Sequence, residues 1–169
     1  PATAEVQRDM EHRMADISAS MVMELRSRTG LGMMECKKAL AESGGDLTKA
    51  EELLRIRSGA KASKAASRIA AEGIVGSWMS ADATSGGMVE VNCETDFVAR
   101  NPDFVALTRE VGELIAKTGP KDLAGLLESS WKEGKKVKDV LAESIAKIGE
   151  NITVRRFAPG FASSTQGSS

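Results

Sequence analysis

The sequence predicts an α+β fold: an N-terminal bundle of three short helices, a helical connector, and a small α+β domain with a three-stranded antiparallel sheet. Three observations predict it. Between residues 15 and 59, apolar residues recur at helical spacing in segments separated by glycines. Residues 88–93 alternate apolar and polar side chains after a polar, glycine-ended turn, the pattern of a half-buried strand. Two longer helical stripes then precede a last strand-like stretch, residues 152–157.

Residues 1–13 are polar, mixed in charge and without a clear period, and are expected to form a flexible lead-in or tag, with Met14 as a natural start. The bundle occupies residues 14–59. Its first helix has Ser18 as N-cap, Val22 and Leu25 as apolar contacts and Gly30 as stop. In the second, residues 33–43, Met33, Cys36, Ala39 and Leu40 share a face, and Gly44-Gly45 ends it. Asp46 caps the third, which turns Leu47, Ala50, Leu53 and Leu54 to one side. Residues 60–72 continue a basic, alanine-rich stretch and are assigned to a helical linker.

The α+β domain spans residues 73–158. Residues 74–80 form a strand, and residues 82–87 turn the chain into the next. On that second strand Val89, Val91 and Cys93 face one way, Glu90 and Asn92 the other. Asn101-Pro102 starts a helix with Phe104, Leu107, Val111, Leu114 and Ile115 in a stripe, and Thr118-Gly119-Pro120 stops it. A short helix covers residues 123–129. Another carries Val137, Val140, Leu141, Ile145 and Ile148, and Gly149 ends it. Residues 159–169 are Gly/Ser-rich and are expected to be a flexible tail.

Composition narrows the function. Of 169 residues, 41% are apolar and 28% charged, and the net charge is −1, which argues against bulk electrostatic binding to nucleic acid or an anionic membrane. With four Phe, two Trp and no Tyr there is no broad stacking platform for single strands. Cys36 and Cys93 form no CxxC, and with His12 they are too few for a usual zinc site. No run of about 18 apolar residues suggests a membrane span. The cysteine usage fits a reducing, cytoplasmic setting.

No catalytic constellation is visible. His12 lies in the lead-in, so a Ser-His-Asp or Cys-His arrangement would need a mobile residue. Gly30-Leu31-Gly32 lacks the Gly-Lys-Ser/Thr of a P-loop. Glu94 and Asp96 stand two residues apart after a strand, a spacing that defines no acid/base geometry.

Three places stand out instead. In Thr95-Asp96-Phe97-Val98 an aromatic sits beside a carboxylate between a strand and a helix. Pattern alone leaves two readings: Phe97 folds back into the core, or it stands exposed at a loop tip. Met33-Met34 are adjacent on a helix and cannot both face one core, so one of them is expected at the surface, where methionine suits adaptable binding. Lys147-Ile148-Gly149-Glu150-Asn151 is first of all a helix end with its glycine cap.

The segments around these places carry a resemblance. Arg26-Ser27-Arg28-Thr29-Gly30-Leu31-Gly32-Met33-Met34-Glu35-Cys36-Lys37-Lys38-Ala39-Leu40 closely resembles the N-terminal domain of elongation factor Ts. Glu90-Val91-Asn92-Cys93-Glu94-Thr95-Asp96-Phe97-Val98-Ala99-Arg100 is similar to a segment of that family's core domain. Lys147-Ile148-Gly149-Glu150-Asn151-Ile152, with Arg155-Arg156 following, resembles a third. The three stand in family order within residues 14–157.

The resemblance implies an exchange factor with no bond-making chemistry and no cofactor of its own. Family members bind elongation factor Tu, GDP-bound or nucleotide-free, and speed release of its GDP. The N-terminal domain, similar in shape to ubiquitin-associated domains, docks on the GTPase domain, and by position Arg26, Met33 and Met34 make that contact. Asp96 and Phe97 push toward the partner's magnesium site, and Ile148 and Gly149 approach the same neighbourhood. Long members continue into a second core half, a helical hairpin and a C-terminal module. Short members pair two chains into a homodimer and carry a longer insertion than residues 117–137. The chain is therefore either a short form or a fragment, and its Ser/Gly-rich end favours a fragment. Two rival classes are an RNA-binding protein using the basic residues 55–68 and a hydrolase built on His12.

Overall fold

A computed structural model describes residues 3–159. The expected tail from residue 160 on lies outside the described residues. The order of elements is α1 (Ala4–Ala15), α2 (Ala19–Thr29), α3 (Met33–Glu42), α4 (Leu47–Ala65), β1 (Glu72–Met79), β2 (Gly86–Cys93), α5 (Asp96–Ala99), α6 (Pro102–Thr118), α7 (Leu123–Glu128), α8 (Val137–Ile148) and β3 (Thr153–Pro159). The chain divides into two compact units. Among the described residues, the first comprises those up to Lys64 together with Ala142–Gly149; the second comprises Ala65–Leu141 together with those from Glu150 on.

The first unit is built around α2, α3 and α4. The Ser18 side chain accepts the Met21 N–H at 3.3 Å, and Gly30 closes α2 in the left-handed conformation, φ 68°. The Asp46 carboxylate accepts the Lys49 N–H at 3.0 Å and starts α4. Val22, Leu25, Leu31, Cys36, Ala39, Leu40, Ala50 and Leu54 form the buried core. Ala146 of α8 packs against it as well, a contribution that a linear division of the chain at residue 59 misses. Met33, expected on the buried face, is 48% exposed, because it sits in the first turn of α3 ahead of the residues that meet the core.

One further expectation is corrected. Residues 4–15 form helix α1 in place of a shapeless lead-in. Ala, Glu, Gln, Arg and Met are strong helix formers, and Asp9 and Arg13 pair at 3.2 Å one turn apart. None of its residues is buried, so no apolar period marks it. The basic connector is helical in its first part, as expected: α4 runs unbroken over 19 residues to Ala65.

The second unit is a three-stranded antiparallel sheet, order β1-β2-β3, with α6 on one face. Ile74 faces Val91 and Gly76 faces Val89, while Glu90 lies opposite Arg156. A register shift at Glu90/Val91 puts one extra residue, Arg155, into β3. The Asn101 side chain accepts the Asp103 N–H at 2.8 Å and caps α6. Phe104, Leu107, Val111, Leu114 and Ile115 are then buried together, the stripe expected from the sequence. Each such side chain contributes about 1.5–3 kcal/mol when taken out of water. Helix and sheet approach closely at Gly76, where an added Cβ would stand 2.5 Å from Thr108 Cγ2. The opposite sheet face presents Val75, Met79 and Met88 to solvent. Each strand is found where expected, its ends shifted by at most two residues.

Candidate functional site

β2 ends at Cys93, whose thiol donates to the Thr95 carbonyl oxygen at 3.2 Å where the chain leaves the sheet. Thr95 is extended, φ −122° and ψ 151°, and its hydroxyl oxygen accepts the Val98 N–H at 3.3 Å, so it caps a single helical turn, α5. A helix of four residues can bury one side only. Val98 and Ala99 take that side, each 8% exposed. Asp96 and Phe97 therefore point outward, and Phe97 is 85% exposed, the most exposed large apolar side chain among the described residues. This decides the question that pattern alone left open: Phe97 does not fold back. Asp96 is paired with Arg100 at 3.4 Å, an exposed contact of little energetic weight.

The turn is held by a second loop, the one joining α8 to β3. Glu150 Oε1 accepts the N–H groups of Glu94 and Thr95, both at 3.1 Å, and Oε2 accepts the Thr95 hydroxyl at 2.8 Å. In return Glu94 Oε1 accepts the Asn151 N–H at 2.7 Å and Arg68 Nε at 2.6 Å. Asn151 Nδ2 closes the set by donating to the Arg68 carbonyl oxygen at 2.7 Å. The Asn151 N–H and, after it, the Arg68 guanidinium hold the Glu94 carboxyl below the usual carboxylate range.

Met33 and Met34 open α3, and both are exposed, at 48% and 67%. Arg26 is exposed on the last turn of α2, and Met23, one turn before it, is 54% exposed. Met23 escaped the sequence reading, though its place next to the buried Val22 is a signal that it faces outward. Ile148 is half-buried at the end of α8. Gly149 is left-handed, φ 84°, and donates its N–H to the Ile145 carbonyl oxygen at 2.8 Å, so it is a helix cap as its position implied. Among the described residues, no atom outside its two chain neighbours lies within 4 Å of where a Cβ would stand on it. Glu94, Thr95, Glu150, Asn151 and Arg68 were also missed as a group, because their partnership joins loops far apart in sequence.

The basic stretch is largely neutralised within the fold. Arg55 pairs with Glu52, Arg57 with Glu42, Lys61 with Glu35 and Arg68 with Glu94. Among the described residues no group of three His, Cys, Asp or Glu could hold a metal, and no helix is long and apolar enough to cross a membrane.

Comparison with known proteins agrees with this architecture. Residues 94–167 match the family model described as Elongation factor TS. The chain is 58% identical over 146 residues to Elongation factor Ts of Aromatoleum aromaticum, covering 85% of the chain and 48% of that protein. It is 57% identical over 145 residues to that of Cupriavidus necator, 86% of the chain and 49% of that protein, and 55% identical over 143 residues to that of Nitrosomonas eutropha, 85% and 49%. The chain spans about half the length of the curated relatives it matches. The relatives that it resembles are named as translation elongation factors. Within that class it is similar to the elongation factor Ts family.

Proposed function

We propose that the chain is a guanine-nucleotide exchange factor, or the GTPase-binding portion of one, which binds elongation factor Tu in the cytoplasm and promotes GDP release by disturbing the partner's magnesium and phosphate site. One observation carries the proposal: an aromatic side chain, Phe97, stands almost fully in water on a turn whose backbone is fixed on both sides. An isolated exposed apolar residue is ordinary. A rigidly mounted one beside a carboxylate is suited to entering another protein.

Exchange requires no bond to be broken by this chain. It requires tighter binding to the nucleotide-free partner than to the nucleotide-bound one, and the coupling is reciprocal. Phe97 acts as an apolar wedge that holds apart packed elements around the metal and phosphates. Asp96 holds the displaced arrangement through hydrogen bonds. Arg26, Met33 and Met34 dock the helical unit on the GTPase domain, and Ile148 and Gly149 complete the contact, the glycine by admitting partner backbone.

The test is the release of fluorescent GDP from elongation factor Tu with and without excess chain. Acceleration, with a complex on gel filtration, is the expected result; neither effect would remove the proposal. RNA binding is disfavoured because four of the five basic residues between 55 and 68 are engaged with Glu35, Glu42, Glu52 and Glu94.

A further inference from the structure

We infer that Glu150 is a positioning residue for the Phe97 turn: its carboxylate sets the direction in which the wedge points. The inference rests on the reading of Phe97 as the residue that enters the partner, and it adds the device that aims it.

The need for such a device follows from the size of α5. One helical turn of four residues cannot sustain itself, because nucleating a helix fixes several backbone dihedrals for the first hydrogen bond. Phe97 has almost no packing of its own to hold it, being 85% exposed. Its direction is therefore set by the backbone of α5 alone. Val98 and Ala99 anchor one side of that backbone. What fixes its N-terminal end is Glu150. One oxygen takes the N–H groups of the two residues that precede α5, and the other takes the hydroxyl of Thr95, the residue that caps it. Hydrogen bonds from backbone N–H and hydroxyl groups to an ionised carboxylate are among the stronger ones in proteins.

The arrangement is also reciprocal. Glu94 returns a carboxylate to the N–H of Asn151, the residue after Glu150. Each loop thus supplies the anion that satisfies the other's backbone, and neither can shift alone. A carboxylate used only to cap its own helix or strand would not reach across 55 residues of sequence to a threonine whose sole local duty is to start one helical turn. A wedge gains from such mounting, because a side chain already held in its productive direction loses less freedom on insertion.

Glu150→Ala should lower the rate of GDP release at saturating chain by about 10-fold, the cost of misaiming a working group, and leave the half-saturating concentration within about twofold. Glu150→Gln keeps an oxygen for the two N–H groups and should retain most of the rate. Thr95→Ala should lose rate in the same manner and Thr95→Ser should restore it, which provides a second route if Glu150→Ala folds poorly. The pair Glu150→Ala with Phe97→Ala should be no slower than Phe97→Ala alone.

A change in half-saturation with the saturating rate intact is what a mere loss of folded chain produces, and it would overturn the inference. Full additivity of the two substitutions would do the same. Backbone ¹⁵N order parameters give a readout that needs no partner. Residues 95–99 should be rigid in the native chain, about 0.85, and fall toward about 0.6 in Glu150→Ala; unchanged values end the inference whatever the kinetics show. If the native chain fails to accelerate GDP release, the exchange reading falls and Glu150's part in exchange with it, while the order parameters still decide whether Glu150 orders the turn.

Discussion

The chain exposes apolar side chains in two different ways. At the start of α3, Met33 and Met34 are long, flexible and adjacent, on a helix whose first turn has no side-chain cap. At α5 a single stiff aromatic stands on a turn capped by Thr95 and tied down by Glu150. Methionines adapt to the surface they meet. A mounted ring makes the surface adapt to it. On the proposed exchange reading, the methionines supply affinity and the aromatic supplies the exchange step. The two roles separate in the saturating rate and the half-saturating concentration of GDP release.

The largest effect is expected at Phe97. Truncation to Ala removes a ring that is 85% exposed, so stability should change by no more than about 0.5 kcal/mol. If the ring is the interfacial anchor, its loss should cost about 2 kcal/mol or more, roughly 30-fold in the saturating rate. A denaturation midpoint that falls with the rate would mean that Phe97 supports the fold, and the contrast with the methionines would collapse.

Met34→Glu should come next, with the opposite kinetic form. A carboxylate placed where an adaptable apolar contact is needed should raise the half-saturating concentration about tenfold with the saturating rate preserved. The helical signal in circular dichroism should not change, since Met34 is 67% exposed. Unaltered half-saturation would remove the docking role of this helix start.

Much of this was legible in the sequence because it is local. Caps at Ser18, Asp46 and Asn101 and the stripe from Phe104 to Ile115 placed helices and strands nearly where they are. The missed features are of another kind. Helix α5, at four residues, is shorter than any period can detect. With Phe97 and Val98 adjacent and both apolar, pattern cannot decide which is buried, and the answer came from the tertiary anchoring of Val98. The link from Glu150 to Glu94 and Thr95 joins residues 56 and 55 positions apart, and no local rule pairs two acidic residues. Ala146 is an unremarkable helix residue until the core of the first unit is assembled around it.

A smaller effect is expected at Gly149. Its φ of 84° is one that an L side chain adopts at a cost of about 1 kcal/mol, although among the described residues nothing beyond its chain neighbours would crowd the added methyl. Gly149→Ala should therefore destabilise the chain by about that much. If partner backbone also approaches here, exchange should fall by more than this stability change explains. Exchange that follows stability alone would leave Gly149 as a helix cap and nothing more.

The smallest effect on exchange, none at neutral pH, is expected at Asp82, and it sharpens the comparison by supplying a held turn without an apolar tip. The Ser80 hydroxyl and then the Thr84 hydroxyl and N–H donate to this carboxylate and draw its pKa from 3.8 to about 2. A carboxyl group whose pKa is lower when folded stabilises the fold while it is ionised. Its contribution is complete above the unfolded value of 3.8 and is lost as pH falls from there toward 2. The ¹³C carboxyl shift of Asp82 should titrate near 2 in the native chain, and Asp82→Asn should remove this part of the acid sensitivity. GDP release should be untouched by the substitution, because the Asp82 turn is rigid for its own sake, whereas the α5 turn carries a ring into solvent. A loss of exchange in Asp82→Asn would show that ordering any turn of this sheet matters, and the special place given to Phe97 and its carboxylate mount would be lost.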